Sequence, residues 1–345
     1  MLNSRIWRDL VWGQSLLFAS VITHISSMSA PPSTLPNATV LRGLRAQNQV
    51  ALTIVLAFTV STAAGLALAV GTGWQYVLGQ VVLGVAFVQW FCLLHEAGHG
   101  TLFKTQRWNV RVGHLAGLFA LIPFHSWRVI HHEHHRWTGW QDLDPTTEAL
   151  VPRPLKVYER AIINTAWFIW FPLFSILYRV NNFWRMDRIL RRVPERHHQR
   201  IKVNLFLQGS LYLVIVIGFG TSLLTVIGPA LLGSFMFMDV VLFSQHNHIP
   251  QKLSGGEDVE PHPFIEQQPF TRSLIFPKWF ARGVLLNFDA HELHHMYPTT
   301  PGYRLGEIDY RPPNAISFWR FVWKAKTSAA STLMFKNQRD TGWDF

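Results

Sequence analysis

The sequence predicts an all-α, polytopic membrane helix bundle, with two transmembrane hairpins, interfacial helices and a histidine-rich cap on the cytoplasmic side. Three observations predict it. Apolar residues make up 49% of the chain and charged residues only 15%, where a soluble domain carries about 25% charge. The apolar residues are bunched into runs long enough to cross a bilayer. The 31 lysines and arginines fall only within 1–45, 104–202 and 252–345, the distribution of loops held on the cytoplasmic face.

A span needs roughly 20 apolar residues, because a helix rises about 1.5 Å per residue and the hydrocarbon core is about 30 Å thick. Four stretches qualify, at 49–71, 75–94, 204–226 and 230–245. The first two are joined by the uncharged turn 72–74, the last two by Gly228-Pro229. Both turns lack basic residues and are expected outside. The run 161–178 has Arg153, Lys156 and Arg160 before it and Arg179, Arg185 and Arg188 after it. A single crossing would put one basic cluster outside, so this run reads as interfacial or re-entrant. The run 115–124 is too short to span and reads likewise. The run 6–28 is broken by Arg8, Asp9 and His24 and lacks a small-residue cleavage site, so it reads as an interfacial helix rather than a signal peptide. The chain reads as one domain over 1–345, with an N-terminal interfacial segment (1–45), a core (46–310) and a tail (311–345). Residues 254–268 read as a surface loop.

The net charge of +11 would suit nucleic acid, but membrane sidedness already accounts for where the charges lie, and no nucleic-acid partner is expected. One cysteine, Cys92, excludes an internal disulfide. The 15 tryptophans and 25 phenylalanines fit a protein with two bilayer interfaces.

The chemistry lies in the histidines. Of 17, 11 sit in four short groups: H-E-A-G-H at 95–99, H-H-E-H-H at 131–135, Q-H-N-H at 245–248 and H-E-L-H-H at 291–295. Residues three and four apart share a helix face. His95 therefore stands beside His99. His131, His134 and His135 share one face, and so do His291, His294 and His295. The predicted topology brings the groups at 95–99, 131–135 and 291–295 to one side of the membrane. His24, His114 and His125 read as satisfied core residues, and His197 and His198 as part of a solvated basic face.

Imidazole suits iron, copper, zinc and nickel. A structural zinc takes four ligands, so eight or nine clustered imidazoles fit two ions of four or five ligands each. The lack of thiolates argues against an iron–sulfur cluster. H-E-A-G-H and H-E-L-H-H also match the zinc-protease pattern, with Glu96 as a potential base, but an intramembrane zinc metalloprotease would leave the groups at 131 and 246 without a purpose.

Taken together, H-E-A-G-H-G, W-R-V-I-H-H-E-H-H-R-W-T-G and H-E-L-H-H-M-Y-P-T-T-P-G-Y-R-L resemble the membrane fatty acid desaturases, over roughly residues 45 to 310. The likeness is nearest to the acyl-lipid omega-3 and omega-6 type. The resemblance implies two iron ions held by His95, His99, His131, His134, His135, His291, His294 and His295, and a further ligand at the end of the last span, where Gln245-His246 stands. No catalytic residue is implied beyond the metal centre. His132 falls off the pattern and is expected behind the ligands. Asp142 and Asp144 match acids that accept the free N–H of a ligating imidazole, or form a solvated turn. Asp239, an ionisable group in an apolar span, is a functional candidate, as a partner of His246 or as a residue at a water-facing helix end.

The resemblance further implies an oxidoreductase that uses O2 to place a cis double bond in an acyl chain, its substrate an acyl-lipid or other acyl compound. Without the haem signature H-P-G-G, electrons are expected from a separate ferredoxin or cytochrome b5. The expected location is a bacterial inner membrane or an ER-type membrane, with the histidine groups and both termini cytoplasmic. A lipid or carotenoid hydroxylase or ketolase of the same superfamily is the alternative.

Overall fold

The computed structural model describes residue 41 and residues 43–343; the apolar run 6–28 and His24 lie outside them. The described chain is an all-α membrane bundle with a histidine-rich cap. Four helices are long and apolar enough to cross a membrane. The first pair is α1 (Asn48–Ala69) and α2 (Gly73–His99). Two small residues let them approach: a Cβ on Gly79 would stand 2.4 Å from the Ala69 nitrogen, and one on Gly65 2.9 Å from Leu83 Cγ. Small residues at such crossings are how membrane helices pack, since hydrocarbon solvates large apolar side chains as well as a neighbouring helix does.

Helix α2 runs past the expected end of its span and carries the first histidine group in its last two turns. It stops at Gly100, which is left-handed at φ 74°, the usual glycine terminator. Then follow α3 (Gln106–Ala120) and α4 (Phe124–Trp137). Helix α4 crosses α2 so closely that a Cβ on Gly98 would lie 2.1 Å from the Trp127 ring. That crossing sets His99 beside His131.

Next come α5 (Val157–Phe168) and α6 (Leu173–Arg179), the latter running into a π turn, Val180–Trp184. Together they are apolar enough to cross, but they bend by 110° at the break, where Pro172 ends one helical path. Such a bend is that of a re-entrant segment or of a broken span. Helix α7 (Met186–Arg192) leads to the second long pair, α8 (His198–Phe219) and α9 (Ser222–His246).

The turn of this pair differs from expectation. It lies at Gly220-Thr221, with Gly220 at φ 53°, and not at Gly228-Pro229. Pro229 sits inside α9. A proline there strands the carbonyl four residues back, and here the Tyr76 hydroxyl donates to that carbonyl, of Thr225, at 2.9 Å. Gln80 of α2 mends the next rung: its Nε2 donates to Val226 O and its Oε1 accepts from Ala230 N, both at 2.9 Å. Side chains from a neighbouring helix thus replace the backbone bonds that made a turn seem necessary.

The rest of the chain is short elements: α10 (Lys278–Gly283), α11 (His291–Met296), α12 (Gly302–Leu305), α13 (Phe318–Lys326), α14 (Ala330–Phe335) and α15 (Gln338–Thr341). A two-residue parallel pair, β1 (Leu274–Ile275) with β2 (Ile316–Ser317), ties the segment before α11 to the start of α13. Helices α2 and α9 are the inner pair of the bundle, whereas α1 and α8 expose Leu56, Val60, Phe206 and Ile217, a surface that hydrocarbon solvates.

Candidate metal centre

Four elements deliver the histidines. The end of α2 brings His95 and His99, α4 brings His131, His134 and His135, the end of α9 brings His246, and α11 brings His291, His294 and His295. Helix α11 is buried along its whole length and is entered through a tight turn in which Leu286 and Asn287 are left-handed. Arg272 holds the end of α9 by donating to the carbonyls of Ser244, Asn247 and His248.

The imidazoles form two sets. His95, His99, His131 and His294 make one and His134, His246, His291 and His295 the other; within each set the ligand nitrogens lie within 4.8 Å of one another. His135 adds a ninth ring, its Nε2 3.1 Å from that of His131 and 3.0 Å from that of His294. Further Nε2–Nε2 approaches are 2.9 Å for His131–His99 and 2.7 Å for His291–His246. Nitrogens meeting in this way point at shared centres.

The opposite ring nitrogens explain why the Nε2 atoms are the ones that converge. His95 Nδ1 faces Glu96 at 3.1 Å, His134 Nδ1 faces Asp144 at 2.8 Å, His246 Nδ1 faces the Phe270 carbonyl at 3.2 Å, and His295 Nδ1 faces Gln267 Oε1 at 3.0 Å. Each acceptor places the ring proton on Nδ1 and leaves the Nε2 lone pair for a metal. The Nε2 atoms of His95 and His295 are buried without a partner, a costly state unless something binds them. Burial, then the neighbouring imidazoles, holds His131, His135, His291, His294 and His295 well below the ordinary histidine pKa, so these rings are neutral donors at pH 7. Nitrogen-only donor sets of four, with one ring between them, fit two metal ions of the transition series.

Behind the rings, Asp144 is buried. Burial alone would raise its pKa, but His134 and the Thr146 N–H hold it below the ordinary carboxylate value. Both Glu96 oxygens are engaged, Oε1 with His95 and Oε2 with Thr101 at 3.0 Å and Gly302 N at 2.6 Å. A Cβ on Gly302 would meet Glu96 Oε1 and the Leu286 carbonyl at 2.6 Å, so this approach requires glycine. Glu96 is thus a positioning group, not a base turned towards water. Burial pushes Glu292 up to about 7, and its Oε2 faces Gln268.

His132 and Asp239 do not stand behind the ligands, and Asp142 takes the turn reading of its two. His132 is exposed, because it is one residue out of phase with the buried face of α4. Asp142 caps a turn, accepting from the Ser254 N–H at 2.9 Å and the Ser254 hydroxyl at 2.6 Å. Asp239 accepts from Ser175 N at 2.5 Å and so caps the first turn of α6; His246 turns its Nδ1 to the Phe270 carbonyl instead. Gln267 and Thr146, which complete the support, carry no signal in the sequence, since each sits in an irregular loop. Thr146 Oγ1 donates to Asp144 at 2.9 Å and lies 3.0 Å from His134 Nδ1.

Two cavities touch the histidines. One is a gap of about 30 Å³, bounded by rings of both sets (His95, His131, His134, His246, His291) and by apolar residues such as Phe91, Trp127 and Phe288. The other, about 510 Å³, reaches His99, His131 and His135 and is bordered by Arg128, Arg196, Arg200, His132 and His197.

The sequence profile of the fatty acid desaturases matches residues 72–314, well over half of the chain. An endoplasmic reticulum omega-3 fatty acid desaturase of Nicotiana tabacum is 26% identical over 286 residues, covering 72% of this chain and 67% of its own. A Delta(8)-fatty-acid desaturase of Euglena gracilis is 28% identical over 269 residues, 69% of this chain and 60% of its own. An endoplasmic reticulum acyl-lipid omega-3 desaturase (cytochrome b5) of Arabidopsis thaliana is 26% identical over 268 residues, 72% of this chain and 65% of its own. The chain spans between half and two thirds of the length of such relatives.

Proposed function

The chain belongs to the fatty acid desaturase family, and from that premise we propose that it is an O2-dependent di-iron desaturase that introduces a cis double bond into an acyl chain. The observation that carries this reading is the pair of imidazole sets abutting one narrow gap. His95, His99, His131 and His294 would hold one iron and His134, His246, His291 and His295 the other, with His135 between them. The irons supply, when bound, the reduction of dioxygen that takes two hydrogens from neighbouring methylenes.

The rest of the work falls to this chain. Glu96, Asp144, Gln267 and the Phe270 carbonyl keep the ring protons on Nδ1, so the donor atoms need no rearrangement before the reaction. Phe91, Trp127 and Phe288 cover part of the gap with apolar rings and would limit the entry of water, which would otherwise intercept a strong oxidant. The smallness of the gap, about 30 Å³, would confine the part of the substrate that reaches the rings, and that aims the chemistry at one carbon pair.

Electrons would come from a separate carrier, a ferredoxin or a cytochrome b5, the latter printed in the name of the Arabidopsis relative. The arginine-bordered cavity beside His99, His131 and His135 suits an acidic carrier. The basic segments and the histidine cap would face the cytoplasm.

Lipid analysis of a host expressing the chain tests the reading. Acyl chains lacking two hydrogens relative to the control host are expected. Acyl chains that gain one oxygen instead would make the protein a hydroxylase.

A further inference from the structure

A cavity of about 390 Å³ lies between the bent pair α5–α6 and the C-terminal helix α14. Its volume is in the range of small-molecule sites, roughly 300–1,000 Å³. Arg153, Tyr158 and Glu159 border one part of it, and Ile162, Phe171 and Leu177 give it apolar walls. Thr146, Leu150, Phe174 and Tyr178 line both this cavity and the gap against the histidines. These four residues therefore stand between the two cavities. Asn181, Asn182 and Asp239 add polar groups to the lining, and α14 contributes Met334 and Phe335, beyond residue 314, where the match to the family ends.

We propose that the acyl chain reaches the histidine centre through this cavity, and that Met334 and Phe335 are its specificity-determining wall. The proposal rests on the desaturase reading and adds the route and the residues that select the substrate. The wall is fixed at both ends, as a selective surface must be. On the α5 side, Ser331 N donates to Asn164 Oδ1 at 2.9 Å, Trp167 Nε1 donates to Ala325 O at 2.8 Å, and Lys326 Nζ donates to Trp167 O at 2.7 Å. Beyond α14, Asn337 Nδ2 donates to Gln251 O at 3.0 Å, and Thr341 Oγ1 lies 2.7 Å from His248 Nε2. Those anchors follow directly on His246, so one strap joins the selecting wall to the segment that carries a ligand.

A larger cavity, about 640 Å³, lies among α2, α9, α10 and α13 and is lined by Phe237, Trp279 and Trp319, but no histidine of the centre borders it. It serves as the control.

The test uses the full chain in membranes supplied with saturated acyl chains of graded length. Met334→Trp should lower kcat/KM for the longest accepted chain, relative to one two methylenes shorter, by roughly tenfold, the scale of a methylene misfit in an apolar pocket. Phe335→Ala should shift the preference towards longer chains. Iron content should not change in either, and Trp279→Ala should leave the ratio as it is. Unchanged ratios in both the Met334 and Phe335 variants overturn the proposal. A diazirine-tagged acyl chain, photolysed on the wild-type protein, gives a measurement independent of variant folding and of turnover. Label on Met334 or Phe335 supports the route, and label confined to Trp279 and Phe280 overturns it. Failure of the wild type to make any double bond would count against the desaturase reading, while the label would still decide the route.

Discussion

At the scale of residues, the account depends on what stands behind each imidazole. Asp144→Asn keeps the size of the side chain but removes the charge that faces His134 Nδ1 at 2.8 Å. Loss of such a partner lowers metal affinity about 10–100-fold, and competition with a chelator should read that change. His246→Ala removes a member of the second imidazole set and should abolish retention of one metal. His248→Ala removes a ring that meets Thr341 and lies outside both imidazole sets and should leave metal content unchanged; the reverse pattern would move the ligand to His248. Gly302→Ala drives a methyl against a backbone carbonyl and Glu96 and should destabilise by about 1–3 kcal/mol, seen as a lower thermal midpoint in detergent. The ligand candidates were legible in the sequence because the spacing of three and four residues puts imidazoles on one helix face. Their supports were mostly not legible. Asp144 and Asp142 look alike in D-L-D-P, and only the fold shows that one faces a histidine and the other a loop turn. Gln267 supports both His295 and the His135 carbonyl from a segment without periodicity.

At the scale of elements, long apolar runs announce spans because the bilayer demands them, and each of the four expected spans overlaps a long helix, with the boundary between the last two displaced. The break between the last two was misplaced because Gly228-Pro229 has the composition of a turn. What overrides that local preference comes from a distant helix, in Tyr76 and Gln80, and no local pattern can show it. Gln80→Leu should remove the side-chain partner of the Val226 carbonyl and the Ala230 N–H beside Pro229 of α9. Each lost hydrogen bond is worth about 0.5–1.5 kcal/mol, so thermal unfolding in detergent should show a loss, while Gln80→Glu should lose less. An unchanged midpoint for Gln80→Leu would mean that Gln80 does not steady the helix around Pro229. The strap formed by α14 and α15 was illegible for the opposite reason: its helices have six and four residues, too short for a periodic signal.

At the scale of the whole molecule, the proposed topology has the nine histidines on the cytoplasmic side, with the turns at 70–72 and 220–221 outside. Single cysteines at Thr72 and Thr221, with Cys92 changed to serine, should react with an impermeant thiol reagent from outside. Cysteines at Arg153 and Arg192 should stay protected until the membrane is opened if the bent pair α5–α6 is re-entrant, whereas outside labelling of one of them would make that pair a fifth crossing. The central claim is that two imidazole sets, sharing one narrow gap, hold two metal ions. The measurement that tests it most directly is elemental analysis of purified, active protein. The account predicts close to two irons per chain and little zinc, whereas active protein with a single equivalent of zinc and no iron would contradict it.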